Sequence, residues 1–357
     1  MTTTPQPLAA RQLLRPEEVP PLRRGWRVIG AFNPGVIRDG TRTRLLVRIV
    51  ECPLETRSGE RPLPRWDGGE SVVDWVSEAD FDLVDSRVVM DRRSGRVRLT
   101  FTSHLRLFDL DDATDPAAIE GSRGRPVLMP TGETESFGVE DPRIVFLQDR
   151  YWITYVAVSP HGPATALAST TDFETFERHG IAFCAENKDV LLFPETIGGR
   201  FAALHRPVIG TPFCKPEMWL AFSRDLIHWG DHRPLHAGAA AWESGRVGGG
   251  APPLLTDRGW LCLYHGNRAP QRAGEVGAYY AAALLLDRDD PQRILARSPE
   301  PLRAPTLSYE QHGFVPNVVF PTATIATGDL LHIYYGAADT STAVLTYELN
   351  ALLDSLQ

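Results

Sequence analysis

Apolar and polar positions along this chain fall into short runs cut by Gly, Pro, Asp and Asn. RLLVRIVE, RVRLTFTS, RIVFLQDRYWITYVAVS, RFAALHRP, MWLAFS, GWLCLYHG, YYAAALLLD, VVFPTATI and LLHIYYGAAD are the clearest. Such runs, with turn residues at their ends, predict β-strands. Long helical periodicity is scarce and is confined to the first 25 residues and the last few. A weak repeat accompanies the strands: TTDFETFERHG, SRDLIHWGDHRPL and LDRDDPQRILARS each follow a strand pair and set an Asp in a turn before apolar residues. The strand pairs recur at intervals of roughly 50 to 70 residues, as expected for a β-propeller with one four-stranded sheet per repeat. No Gly/Ser linker or charge block divides the chain. The expected organisation is all-β, with a short N-terminal extension (1–25) and a single propeller domain (26–357).

Composition narrows the partners. Of 357 residues, 43% are hydrophobic and 23% charged, which is ordinary for a globular protein, and the formal net charge is −8. That charge argues against nucleic acid or an anionic membrane surface, either of which favours a basic face. No apolar run has the length of a bilayer span or a signal sequence. The four cysteines lie far apart, without metal-ligand spacing, and read as reduced thiols. The histidines show no ligand spacing either, so neither metal nor cofactor is expected, and a cytoplasmic location is.

Candidate chemistry sits at strand ends. SFGVEDPRIVF places Glu140 and Asp141 together at the mouth of an apolar strand. Asn33 precedes a Pro-Gly turn, and Arg48 interrupts the apolar LLVRIVE. Lys188 opens a strand, and Arg206 and His265 close two others. Arg246 stands just before three glycines, which match no phosphate-loop pattern, and Asp339 ends IYYGAAD. Each alone also reads as a surface ion pair, a core histidine or a strand end. Taken together, cations and carboxylates fall at strand ends of different repeats, and a propeller brings such ends to one channel. Lys, Arg, Arg and His converging there make an oxyanion clamp, with phosphate the obvious guest. A carboxylic acid opposite the clamp suggests inverting glycosyl transfer, the anion attacking while the acid protonates the leaving oxygen. Trp152, Trp219, Trp229, Trp242, Trp260, Tyr264, Tyr279, Tyr280 and Tyr335 offer flat faces for sugar rings, although most of them read first as core or blade-packing residues.

Taken in order, FNPGVI, LLVRIVE, GVEDPRI, NKDVLLFP, LHRP, SRDLIHWG, GGGAPPLLT to GWLCLYHG, LLLDRDDP, YEQHGFVPNVVF and YYGAAD resemble the inverting β-mannoside phosphorylases of glycoside hydrolase family 130. The resemblance runs from about residue 26 to residue 345. It implies a five-bladed β-propeller, inorganic phosphate as co-substrate, and release of α-mannose 1-phosphate from a β-mannoside. Asp141 is then the proton donor, acting through the 3-hydroxyl of the transferred mannose. Asn33, Arg48 and Asp339 become mannosyl binders, and Lys188, Arg206, Arg246 and His265 the phosphate-binding set. Glu140 orients its loop. Where this chain has Arg246, phosphorylases of the family often carry Lys, a ligand of different geometry.

Two other readings stand beside this one. An inverting β-mannosidase on the same scaffold would use a carboxylate near the clamp, Glu186 or Glu243, to activate water. A non-catalytic sugar-binding propeller would use the charges for recognition alone. The acceptor sugar and linkage are not legible, and neither is the oligomeric state, in which the N-terminal extension is a candidate participant. The 52–95 segment reads either as an insertion over the channel mouth or as a solvated loop.

Overall fold

The computed structural model describes residues 4–111, 115, 119, 124–208, 213–272 and 274–357. The chain is mostly β, and among the described residues twenty of its strands group into five sets of four antiparallel neighbours. The first set is Trp26–Asp39, Arg42–Pro53, Thr102–Leu110 and Arg125–Leu128. The second is Gly138–Leu147, Arg150–Ser159, Gly162–Thr170 and Glu177–Phe183. Asn187–Leu192, Phe201–Pro207, Met218–Ser223 and Trp229–His236 make the third. Arg246–Gly249, Gly259–Arg268, Ala278–Leu286 and Ile294–Arg297 make the fourth. The fifth is Val319–Thr327, Leu330–Ala337, Ser341–Glu348 and, from the other end of the chain, Ala9–Leu14.

That last strand departs from the helical reading of the first 25 residues. AARQLL is too short to nucleate a stable helix alone. It instead pairs with the free edge of Ser341–Glu348, Ala9 opposite Thr346 and Gln12 opposite Ala343. The helical reading of the C-terminus holds, with a helix over Leu349–Asp354.

Most strands are buried on both faces, which explains their continuous apolar runs. Val190 and Leu192 pack with Val145 and Trp152 of the second set, while Leu191 between them packs with Val247 and Trp260 of the fourth. Alternation of side chains along a strand requires this division. Further cores join the first set to the second through Leu46, Leu105 and Ile153, and the fourth to the fifth through Leu263 and Tyr335. Another joins the fifth back to the first through Leu14, Val344, Val47 and Phe108.

The repeat read from the sequence is a turn device. Asp172 Oδ1 accepts the amides of Glu174 and Thr175, Asp225 Oδ1 those of Ile227 and His228, and Asp287 Oδ1 those of Asp289 and Asp290. Each turn joins the third and fourth strands of its set. A second repeat escaped the sequence reading. Glu135, Glu243 and Glu310, all buried, each accept a tyrosine hydroxyl from the second strand of their set: Tyr155 at 2.7 Å, Tyr264 at 2.8 Å and Tyr335 at 2.8 Å. Each also faces a basic side chain, Arg178, His236 or Arg303.

Between Pro53 and Thr102 the chain leaves the first set. It forms the hairpin Glu60–Asp67/Glu70–Ser77 and a small sheet of Phe81–Leu83, Val88–Asp91 and Val97–Leu99. This insertion reaches a large cavity, so the 52–95 segment is structured rather than a solvated loop. No helix among the described residues is long and apolar enough to cross a membrane.

Candidate active site

First strands of three sets carry the same local device. Asn33, Asp141 and Asp189 have φ of 51°, 51° and 56°. Each lies in a register shift of its strand, between Phe32 and Gly35, Glu140 and Arg143, and Lys188 and Leu191. Asn and Asp tolerate this left-handed conformation better than other side-chain-bearing residues. Such a bulge turns a side chain out of the regular alternation. Here the three polar side chains turn toward one cavity of about 360 Å³. Asp339 reaches the same cavity from the turn after Leu330–Ala337, at φ 48°.

Asn33, Arg48, Asp141, Lys188, Arg206, Arg246 and Asp339 all line that cavity. At its floor Asp141 Oδ1 accepts from Asn33 Nδ2 at 2.9 Å and Arg48 Nη1 at 3.1 Å. Arg48 Nη2 donates to Glu140 Oε1 at 2.6 Å, and Lys188 Nζ lies 3.6 Å from the other Glu140 oxygen. Glu140 is therefore a bridge between Arg48 and Lys188. The Arg48 guanidinium also lies over the rings of Phe32 and Phe101. Arg143 Nε is tied to the carbonyl of Gly250 at 2.6 Å and Nη1 to that of Asp141 at 3.0 Å, fixing the bulge from behind. Burial would raise the Asp141 carboxyl, but the charges of Arg48, Arg143 and Lys188 outweigh it and hold it below the usual carboxylate range.

A second carboxylate organises the cationic side. Asp189 Oδ2 accepts from Arg206 Nε at 2.7 Å, and His265 Nε2 lies 3.6 Å away. Burial opposes ionisation of Asp189, yet the guanidinium groups of Arg206 and Arg143 hold its pKa at about 2. Arg206 Nη1 and Arg246 Nε are buried without a hydrogen-bond partner among the described residues, as are both ring nitrogens of His265. His265 differs from the other predicted residues in standing behind the cavity wall, fully buried and stacked on Phe320 at 4.4 Å. Burial and the neighbouring guanidinium groups push its pKa down to about 3, so the ring is neutral at rest. The three glycines have a role here. A Cβ on Gly248 would sit 2.3 Å from Asp189 Oδ2, 2.6 Å from His265 Cε1 and 2.9 Å from Arg206 Nε, so only glycine lets this cluster close up.

Asp339 behaves oppositely to Asp141. Burial, aided by the charges of Asp141 and Glu140, lifts its pKa to about 6 against the pull of Arg87 and Arg48. Arg87 comes from the insertion and was not singled out in the sequence, where it is one arginine among many in that segment.

Other expectations are corrected. Glu243 does not face the cavity. Its carboxylate is consumed by the amides of Ala239 and Ala240, by His236 and by Tyr264, so it is no base for water. Glu186 does line the cavity. None of the five tryptophans does; Trp152, Trp242 and Trp260 are buried between sets. The aromatic walls are Phe32, Phe101, Phe137, Phe314, Phe320 and Tyr279. Of the aromatic residues proposed from sequence, Tyr279 alone is among them.

Sequence and structure comparisons give the family. The sequence model of glycoside hydrolase family 130, described as beta-1,4-mannooligosaccharide phosphorylase, matches residues 78–357. The chain is 38% identical over 352 residues to a beta-1,2-mannobiose phosphorylase of Listeria innocua, covering 97% of this chain and 96% of that one. It is 38% identical over 229 residues to a 1,2-beta-oligomannan phosphorylase of a Thermoanaerobacter species, covering 63% and 73%. The solved complex of the Listeria innocua beta-1,2-mannobiose phosphorylase with beta-1,2-mannobiose superposes with a TM-score of 0.85 at 37% identity over 96% of both chains. The chain belongs to glycoside hydrolase family 130.

Proposed function

We propose that the chain is an inverting β-mannoside phosphorylase in which Asp141 is the acid and Lys188, Arg206 and Arg246 hold phosphate, with His265 packed behind them. Family membership carries the β-mannoside phosphorylase activity. The observation that carries the roles is a set of buried, unpartnered donors, Arg206 Nη1 and Arg246 Nε, on the cavity that also holds Asp141. Buried cationic donors left without acceptors are costly unless an anion completes them. Phosphate fits by charge and by the number of its oxygens.

In the proposed reaction a phosphate oxygen attacks the mannosyl C1 from the face opposite the leaving oxygen. The new C1–O–P bond forms as the glycosidic C1–O bond breaks. The proton of Asp141 passes to the mannosyl 3-hydroxyl as that hydroxyl's own proton moves to the glycosidic oxygen. The products are α-mannose 1-phosphate and the shortened acceptor. Asp141 is ionised in the free site, and phosphate supplies the remedy. A polyanion against Lys188 offsets one of the cations that depress the Asp141 pKa, so binding the nucleophile raises the proton affinity of the acid. Asn33, Arg48 and Asp339 hold the mannosyl hydroxyls in this reading.

The same proposal takes the five strand sets as the blades of a five-bladed propeller. Its support is the succession of apolar cores from first set to second and onward to the fifth and back to the first. Residues 26–357 form one catalytic domain, and the N-terminal extension supplies the outer strand of the last blade.

Full-length similarity to the Listeria innocua relative supports β-1,2-mannobiose as the first substrate to try. Product analysis on β-1,2- and β-1,4-mannobiose, with and without phosphate, tests the reading. α-Mannose 1-phosphate formed only with phosphate is expected. Free mannose at a rate indifferent to phosphate would overturn it and make Glu186, on the cavity wall, the suspected base.

A further inference from the structure

We propose that Glu140 is a positioning residue whose negative charge trades affinity for phosphate against the readiness of Asp141 to hold its proton, an inference that rests on the phosphorylase reading above. Adjacent residues of a regular strand face opposite sides. Glu140 and Asp141 nevertheless both line the cavity, because the bulge at Asp141 breaks the alternation. Two buried carboxylates side by side repel each other, a cost that orienting a loop does not require. A glutamine at 140 would offer Arg48 an acceptor of the same shape. What the carboxylate adds is charge, and that charge acts on the two cations that also serve Asp141 and phosphate.

Distances show how the charge is divided. Arg48 Nη2 lies 2.6 Å from Glu140 Oε1 and Nη1 lies 3.1 Å from Asp141 Oδ1, so the guanidinium is shared and its shorter contact goes to Glu140. Without the Glu140 charge, Arg48 would act on Asp141 alone and hold that carboxyl ionised more firmly. On the other side Lys188 Nζ is 3.6 Å from Glu140 Oε2, too far for a direct hydrogen bond. The carboxylate thus draws the ammonium toward the acid, leaves its donors to phosphate, and itself opposes the incoming anion. Other charged groups around Asp141 have partners of their own or stand further off. Arg143 donates to the carbonyls of Gly250, Asp141 and Pro142. Arg206 is held by Asp189, and Arg87 by Asp85. Arg246 lines the cavity with Nε unpartnered, and Glu186 is exposed to solvent. Asn33 brings a neutral donor, and Asp339 acts on Arg48 from the turn of the fifth set. Among the described residues only Glu140 is ion-paired to both Arg48 and Lys188.

Initial rates on β-1,2-mannobiose at varied phosphate and pH test this, with Glu140→Gln beside the charge-preserving Glu140→Asp. Glu140→Gln should lower the phosphate KM about 3- to 10-fold, because an opposing charge is gone. It should also lower kcat at pH 7 about tenfold, because Asp141 holds its proton less well. A neighbouring negative charge raises a carboxyl's pKa, so its removal should move the alkaline limb of kcat about one unit to lower pH. Glu140→Asp should keep that limb within about 0.3 unit of the native position. A residue that merely braces the loop would leave the limb unmoved and the phosphate KM unchanged or raised. Either result with Glu140→Gln would overturn the proposal. If a melting curve shows that Glu140→Gln does not fold, Glu140→Asp decides alone: a limb displaced by about a full unit, with the charge retained, would overturn it. If the wild-type chain releases free mannose regardless of phosphate, the phosphorylase reading fails. The Glu140 inference is then read from the alkaline limb of that hydrolysis, which should still move in Glu140→Gln, and a limb that stays in place would overturn it.

Discussion

Arg206 and Asp189 form a buried pair, Nε to Oδ2 at 2.7 Å, in which the carboxylate grips one side of the guanidinium and leaves Nη1 without a partner. In the proposed reaction the pair is asymmetric, with Asp189 positioning Arg206 and Arg206 binding the phosphate. Arg206→Ala should lower kcat/KM for phosphate about 30- to 1000-fold, the rate equivalent of roughly 2–4 kcal/mol for one oxyanion contact. Asp189→Asn should raise the phosphate KM more than it lowers kcat. Kinetics at varied phosphate and saturating mannoside separate the two.

Asp141→Asn should abolish turnover while the fold survives, because Arg48 keeps its bond to Glu140. The expected fall in kcat is about 10²- to 10⁴-fold, the range for loss of a positioned general acid. A variant within tenfold of the native rate would exclude Asp141 as the acid.

Gly248→Ala tests the cluster without touching a charge. The added methyl group must displace the Asp189 carboxylate, His265 and Arg206. Affinity for phosphate should drop at least tenfold in isothermal titration, whereas binding of a mannoside without phosphate should change little.

Asp339 predicts a pH signature in stability as well as in rate. Its pKa of about 6 exceeds the ordinary 3.8 of an unfolded chain, so the native state binds the proton more tightly. Stability contributed by that proton is present below pH 4 and is lost as pH rises through about 6. At pH 7 the buried charge is a cost, and Asp339→Asn should therefore be more stable than the native protein, by about 1–3 kcal/mol at most. Denaturant melts at pH 4 and pH 7 measure this, the difference between the two proteins shrinking at the lower pH. The limb near pH 6 in kcat/KM for the mannoside should vanish in the same variant.

Removing residues 1–25 should lower the thermal unfolding midpoint by several degrees and promote self-association, since it strips Ala9–Leu14 from Ser341–Glu348 and bares a sheet edge. Unchanged melting and a monodisperse profile would contradict the role given to that strand.

Strands were legible because turn residues punctuate apolar runs, and the aspartates of TTDFETF, SRDLIHW and LDRDDP because an Asx turn is a local event. Asn33, Arg48 and Asp141 were legible because polar residues inside apolar strands stand out. What escaped depends on distance in sequence. The pairing of Ala9–Leu14 needs a partner more than three hundred residues away. Asp85 and Arg87 look like any charged turn until the insertion is folded over the cavity. Most of the tryptophans were read first as packing residues, and Trp152, Trp242 and Trp260 do pack between strand sets, where their large apolar area is buried. Glu243 was misread because closeness in sequence to Arg246 says nothing of where its carboxylate points.

The fifth set contains both the first strand of the chain and its last. During synthesis Ala9–Leu14 leaves the ribosome long before Ser341–Glu348, and at about 5–20 residues per second it waits tens of seconds for its partner. Every earlier sheet can assemble meanwhile from strands close in sequence. The final pairing must await Ser341–Glu348, so until that strand emerges the backbone donors and acceptors along Ala9–Leu14 stay open to water and to other sheet edges.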